Sequence, residues 1–169
     1  MGARSVQESK KLPRYASCFI CGKANPAGLD LTFHAAPDHV WTELAFPRRY
    51  TGFADRIHGG ILTAVLDEAL GWSCTIRTGR MYYTSDLRVK FRLPVAAGVP
   101  VRVEARNTLV RRWVARATGV LLGSDGQVCC EAEGTFCAVP ADQFDDVIAH
   151  LETETPGGPR PARPDDLLV

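Results

Sequence analysis

The chain has 169 residues, a net charge of +1 and an apolar fraction of 46%. That length suits one domain with one core, and the near-neutral charge gives no electrostatic basis for nucleic-acid or membrane binding. No apolar run approaches the length of a membrane span, and Met1 to Lys11 lacks the apolar stretch of a signal peptide. The cytoplasm is therefore the expected location, and the six cysteines read as reduced thiols.

Residues 1–14 read as a flexible leader. Cys18 to Gly28 is turn-rich, punctuated by Gly22, Pro26 and Gly28. Leu29 to His34 alternates as a strand does, Pro37-Asp38 marks a turn, and Val40 to Phe46 reads as a second strand pairing with the first. Pro47 to Arg56 reads as a loop containing Tyr50, Gly52 and Phe53. A helix is predicted from Gly59 to Ile76, apolar on most sides and hence buried. Met81 to Leu93 alternates, with Leu87, Val89, Phe91 and Leu93 on one face and Asp86, Arg88, Lys90 and Arg92 on the other. Val99–Val110, Trp113–Leu122 and Gln127–Val139 are further strands, the last two joined by a Ser124-Asp125-Gly126 turn. Residues 141–152 predict a short amphipathic helix, and 153–169 a disordered tail rich in Pro and Gly. The folded domain is thus expected over 15–152. Two strands, a buried helix and four long antiparallel strands suit an α+β fold in which a curled sheet wraps a central helix.

The chemistry concentrates in Ile57-His58-Gly59-Gly60 and the helix that follows, with Asp67-Glu68 inside it. The first amides of a helix lack intrahelical partners and lie at the positive end of its dipole, which suits a developing oxyanion. A carboxylate within an apolar helix needs a partner or a task. Asp67 reads either as a catalytic acid or as a structural one bonded to a backbone amide or to an arginine at a subunit interface. Adjacent helical residues point about 100° apart, so Asp67 and Glu68 do not share a pocket. No Ser-His-Asp or Cys-His pattern stands out, and the G-x-S-x-G elbow is missing. Cys18-x-x-Cys21-Gly22 offers only two of the four ligands of a structural zinc site, and Cys129-Cys130 point to opposite strand faces. The pair reads as a structural turn with buried thiols, and no metal or cofactor is expected.

With its neighbours the helix start resembles the PaaI-like hotdog-fold acyl-CoA thioesterases. The resemblance runs from about Cys18 to Val139. It rests on Cys18-Phe19-Ile20-Cys21-Gly22, on Asn25-Pro26-Ala27-Gly28-Leu29, on His-Gly-Gly with Asp67 at the family spacing, and on Thr84-Ser85-Asp86-Leu87-Arg88-Val89-Lys90-Phe91 with Pro94. It implies a hotdog fold and hydrolysis of a small to medium or aryl acyl-CoA. It also implies a homodimer or homotetramer (a dimer of dimers) with the site between subunits. Asp67 then acts as general base or nucleophile, with Glu68 as fallback. The Gly59 amide polarises the thioester oxygen, and His58 shapes the turn and positions that amide or the substrate carbonyl, or else is a plain capping or core-bonded histidine. Gly60 serves close packing or contacts substrate. Thr84 orients water or is an ordinary strand threonine; Ser85 replaces it if the register shifts by one.

Relatives that carry Asn or Gln upstream of His-Gly-Gly have it where this chain has Gly52, so either Asn25 or Asp55 does this work or the site has a different balance of roles. Of the cations Arg88, Lys90, Arg92, Arg111, Arg112 and Arg116, the pair Arg111 and Arg112 is the expected contact for coenzyme A phosphates. Two other readings stay open: an acyl-CoA-binding module without turnover, motivated by Gly52, and a hydratase, for which the required His pattern is not found.

Overall fold

The computed structural model describes residues 10–152, which excludes the tail expected over 153–169 and most of the leader. In chain order the elements are β1 (Lys10–Lys11), β2 (Arg14–Tyr15), β3 (His34–Ala35), β4 (Val40–Ala45), a 3₁₀ turn (Arg48–Tyr50), β5 (Thr51–Phe53), β6 (Arg56–Ile57) and α1 (Gly59–Thr78). They continue with β7 (Tyr82–Phe91), β8 (Pro100–Val110), β9 (Val114–Gly123), β10 (Val128–Ala138), α2 (Ala141–Ala149) and β11 (Leu151–Glu152). Seven strands form one antiparallel sheet in the order β1-β3-β4-β8-β9-β10-β7. The sheet wraps α1, which packs against β4, β7, β8, β9 and β10. This is the hotdog architecture expected from the strand and helix order.

The core forms where the apolar faces of α1 and the sheet meet. Val65, Leu66 and Leu70 of the helix are fully buried, as are Val103, Leu121 and Phe136 of the strands. Truncating Leu66, which has 0% exposure, to alanine leaves a cavity in this layer and is expected to destabilise the domain by about 2–5 kcal/mol. Denaturant titration of Leu66→Ala checks this. Gly79, in the left-handed region at φ 69°, ends α1 and donates its N–H to Thr75 at 2.7 Å.

Three expectations are corrected. The leader expected over 1–14 does not reach 14: Lys10–Lys11 pair with His34–Ala35, Leu12 joins the core, and buried Arg14 meets Asp30 at 2.8 Å. Leucine at 12 supplies the burial that holds this stretch. The strand expected over Leu29–His34 shrinks to His34–Ala35. Leu29 and Leu31 instead donate their N–H groups to Phe19 and Ile20, both at 2.9 Å. The alternation there records burial of Leu31 and Phe33, not sheet pairing. The 47–56 loop holds a two-residue hairpin, β5–β6, with Ala54 and Asp55 both at positive φ. That hairpin leaves Phe53 exposed.

Strand β7 is an edge: it pairs with β10 on one side only. It carries exposed Tyr83 and Phe91, and Leu93 just beyond its end is exposed as well.

Candidate active site

Helix α1 begins where sequence reading placed it, at Gly59. His58 is its N-cap: the backbone there is extended, and the ring Nδ1 accepts the N–H of Gly60 at 2.9 Å. The capping alternative for His58 is therefore the one the geometry supports, and it fixes the ring tautomer with the proton on Nε2. A Cβ on Gly60 would lie 3.1 Å from that ring nitrogen, so Gly60 serves close packing around the cap. With the Gly60 amide engaged, the Gly59 N–H has no partner among the described residues and lies at the positive end of a helix of 20 residues. The Phe91 ring rests on Gly59, where a Cβ would come within 3.2 Å of it.

Two turns further along, the half-buried Asp67 points to β7. Its Oδ1 accepts the Thr84 hydroxyl at 2.8 Å, and no cation within the described residues pairs with it. Burial raises the Asp67 pKa above the usual carboxylate range, opposed by the Thr84 hydrogen bond.

A β-bulge aims Thr84. In the β7–β10 ladder Asp86 faces Thr135 and Thr84 faces Phe136, so Ser85 has no opposite residue. Strict alternation from Leu87 and Val89 would have turned Ser85 toward the helix and Thr84 away. The extra residue inverts the pattern: Thr84 reaches Asp67, Tyr82 buries its hydroxyl, and Tyr83 turns out to Gln143 at 3.1 Å.

Comparison with known proteins bears on the fold. The thioesterase superfamily model matches residues 55–130, which include the helix cap, all of α1 and β7 to β9. The matched stretch is a little under half of the chain, and what it shows is a likeness to the thioesterase superfamily. Among solved structures, the thioesterase superfamily protein RHA08564 aligns at a TM-score of 0.67 and 23% identity, over 72% of this chain and 60% of its own. The match thus spans less than two thirds of that protein. The PaaI protein of the E. coli phenylacetic acid degradation operon aligns at a TM-score of 0.62 and 14% identity, over 66% of this chain and 81% of its own. Protein smu.793 of Streptococcus mutans, solved bound to acetyl CoA, aligns at 0.57 and 17% identity, over 60% of this chain and 82% of its own. At these identities the likeness is one of fold. No curated protein matches the sequence.

Other expected site residues lie elsewhere. Glu68 turns away from Asp67 toward the N-terminal segment, where its Oε2 meets Cys18 Sγ at 3.2 Å. Asn25 donates to Ser17 O at 3.1 Å and accepts from Ala27 N at 3.0 Å, so its amide holds the 17–27 turn. Exposed Asp55 pairs with Arg48 at 2.6 Å. Neither takes the place of an amide at Gly52. The His58 ring occupies that space, 3.3 Å from where a Gly52 Cβ would stand. Arg88 and Arg92 are paired across the ladder with Glu133 and Glu131. Arg111 and Arg112 sit in the β8–β9 hairpin beside Arg77 and Arg80, at the far end of α1 from His58. Trp72 is buried, whereas Trp113 is exposed beneath Arg80 and Arg112. A cleft of about 500 Å³ between β1, β3 and the C-terminal half of α1 contains neither Asp67 nor Thr84.

Proposed function

We propose that the protein is a PaaI-like acyl-CoA thioesterase whose active site is shared between two copies. The observation that carries this is Asp67, a partly desolvated carboxylate held by a hydroxyl donor, which among the described residues has no cationic partner and shares its domain with a helix-start amide that has no partner there either. A structural acid would be expected to sit on a backbone amide or an arginine; among the described residues Asp67 meets the Thr84 hydroxyl instead.

In this reading Thr84 donates to one oxygen of Asp67 and leaves the other to take a proton from water. The hydroxide adds to the thioester carbonyl carbon. The Gly59 N–H and the α1 dipole stabilise the oxyanion, and collapse expels the coenzyme A thiolate, which receives the proton. Direct attack by Asp67 is the second route. Single turnover in heavy-oxygen water separates them: general-base catalysis labels the released acid at once, while nucleophilic attack labels Asp67 first.

Two copies are needed because Gly59 and Asp67 are eight residues apart, about 12 Å along the helix axis. Donor and base must each lie about 3 Å from the reacting group. Gly59 of one copy and Asp67 of another meet that requirement when two β7 edges pair. The open β7 edge, with Tyr83, Phe91 and Leu93 exposed on and beside it, supports such pairing. A dimer, or a dimer of dimers, is the assembly this reading requires. Phe91 over Gly59, with exposed Phe53 nearby in sequence, supports a small to medium or aryl acyl group. In this reading Arg111 and Arg112 stay the expected contact for coenzyme A phosphates, which would have to reach past the C-terminal end of α1. All six cysteines are free thiols, consistent with action in the cytoplasm. No helix among the described residues is long and apolar enough to cross a membrane.

Thiol release from short, medium, long and aryl acyl-CoAs tests the proposal. Turnover of at least one sustains it. Tight acyl-CoA binding without turnover would establish the second reading, a binding module, which Gly52 motivates. Thr84→Ala adds a pH test. Loss of its hydrogen bond removes the one contribution holding the Asp67 pKa down. The acid limb of the kcat/KM profile is then expected at higher pH than in the parent protein, because the ionised base forms later as pH rises. An unmoved limb would mean that Thr84 does not act on the catalytic group.

A further inference from the structure

The catalytic reading leaves Glu68 unused, together with the cysteine turn it faces. Cys18, Cys21 and Glu68 each bring one ligand atom to a common point, all within 4.8 Å of one another. Three ligands of a tetrahedral zinc ion, with Zn–S near 2.3 Å and Zn–O near 2.1 Å, stand about 3.6–3.8 Å apart. Cys18 Sγ and Glu68 Oε2, at 3.2 Å, need to part by only a few tenths of an ångström.

The backbone is arranged for sulfur anions. Ile20 N and Cys21 N donate to Cys18 Sγ at 3.2 and 3.5 Å. Such N–H donors around metal-bound sulfur orient the ligands. Gly22 closes the turn so tightly that a Cβ there would lie 2.6 Å from Cys18 N. Cys21 is 1% exposed, while Cys18 and Glu68 are half-buried, so the cluster keeps an open side. As a set the three groups carry up to three negative charges in a partly desolvated place, with no cationic side chain paired to any of them among the described residues.

We propose that Cys18, Cys21 and Glu68 form a zinc site that ties the 15–29 segment to the middle of α1, with a fourth position open to water. Two thiolates and a carboxylate suit Zn²⁺ among the common divalent ions. Sequence spacing offers two ligands; the fold supplies the third from the helix, one residue from Asp67. Neither Asp67 nor Thr84 takes part, so the site stands or falls separately from thioester hydrolysis.

The test uses the full chain, stripped with a chelator, refilled with Zn²⁺ or Co²⁺ alone and followed by absorbance, metal analysis and circular dichroism. The expected result is one ion per chain, with the thiolate charge-transfer and intense visible bands of tetrahedral cobalt. Glu68→Gln is expected to weaken Zn²⁺ binding by more than about 10-fold, and Cys21→Ser to abolish the thiolate band. Asp67→Asn and Cys137→Ser are expected to leave the spectrum unchanged. No uptake by the stripped, folded parent protein would overturn the proposal. So would a cobalt spectrum without thiolate bands, or Zn²⁺ affinity unchanged in Glu68→Gln. The parent titration decides by itself should the serine variant misfold.

Discussion

Asp67→Asn is expected to lower kcat/KM for acyl-CoA hydrolysis by about 10²–10⁴-fold, the usual contribution of a positioned general base. The asparagine is nearly the same size and still accepts the Thr84 hydroxyl through its carbonyl oxygen, so the 2.8 Å contact between α1 and β7 survives. What is lost is the negative charge that takes the proton from water. Because burial disfavours that charge in the folded protein, Asn is expected to leave stability unchanged or slightly raised. Loss of turnover with an unchanged melting temperature and unchanged acyl-CoA affinity is thus the signature of a catalytic carboxylate. Loss of turnover with a lowered melting temperature would point to a structural acid. Full activity in the variant would remove Asp67 from the mechanism.

Glu68 sharpens the comparison. Its carboxylate is turned from Asp67 and held against Cys18 at 3.2 Å, so it is badly placed to substitute as the base. Adjacent acids on one helix have separate environments here because successive side chains diverge by about 100°.

Much of this was legible from local pattern. The apolar surround of α1 and the alternation of β7 to β10 depend on spacing within one segment, and those elements appear within a few residues of their expected ends. What stayed hidden depends on partners distant in sequence. Thr84 and Ser85 are equivalent until β7 meets β10, where the bulge between Thr135 and Phe136 decides which faces the helix. Leu29 to Phe33 alternates as a strand would, yet its amides are taken by the cysteine turn. Glu68 joins Cys18 across 50 residues of chain. Gly52 looked like a missing catalytic amide; it is the floor on which the His58 cap lies. The resemblance already implies a site between subunits, and the rise of about 12 Å along the helix from Gly59 to Asp67 supports that reading.

That separation yields the second large effect. Gly59→Pro removes the N–H proposed to hold the oxyanion, and proline suits the first position of a helix, so α1 should still form. The Phe91 ring, 3.2 Å from the position of a new Cβ, has to tilt toward its exposed side. By itself this variant is expected to lose about 10²–10³-fold in kcat, as Asp67→Asn loses activity by itself. Coexpressed, the two dead proteins are expected to recover activity. In a mixed pair one site combines the proline with the asparagine, but the other joins an intact Gly59 to an intact Asp67. Random pairing makes half of the dimers mixed, each with one of two sites working, so about a quarter of the parent activity should return. A site built within one chain behaves differently, since every site in every mixture then carries one defect and none recovers. Tagging the two variants separately and assaying the doubly tagged species measures the mixed pair directly, and activity near half of the parent value there would locate the two halves of the site on different copies. No recovery in a species shown to be mixed would place Gly59 and Asp67 in one chain's site, against the 12 Å or so that the helix puts between them.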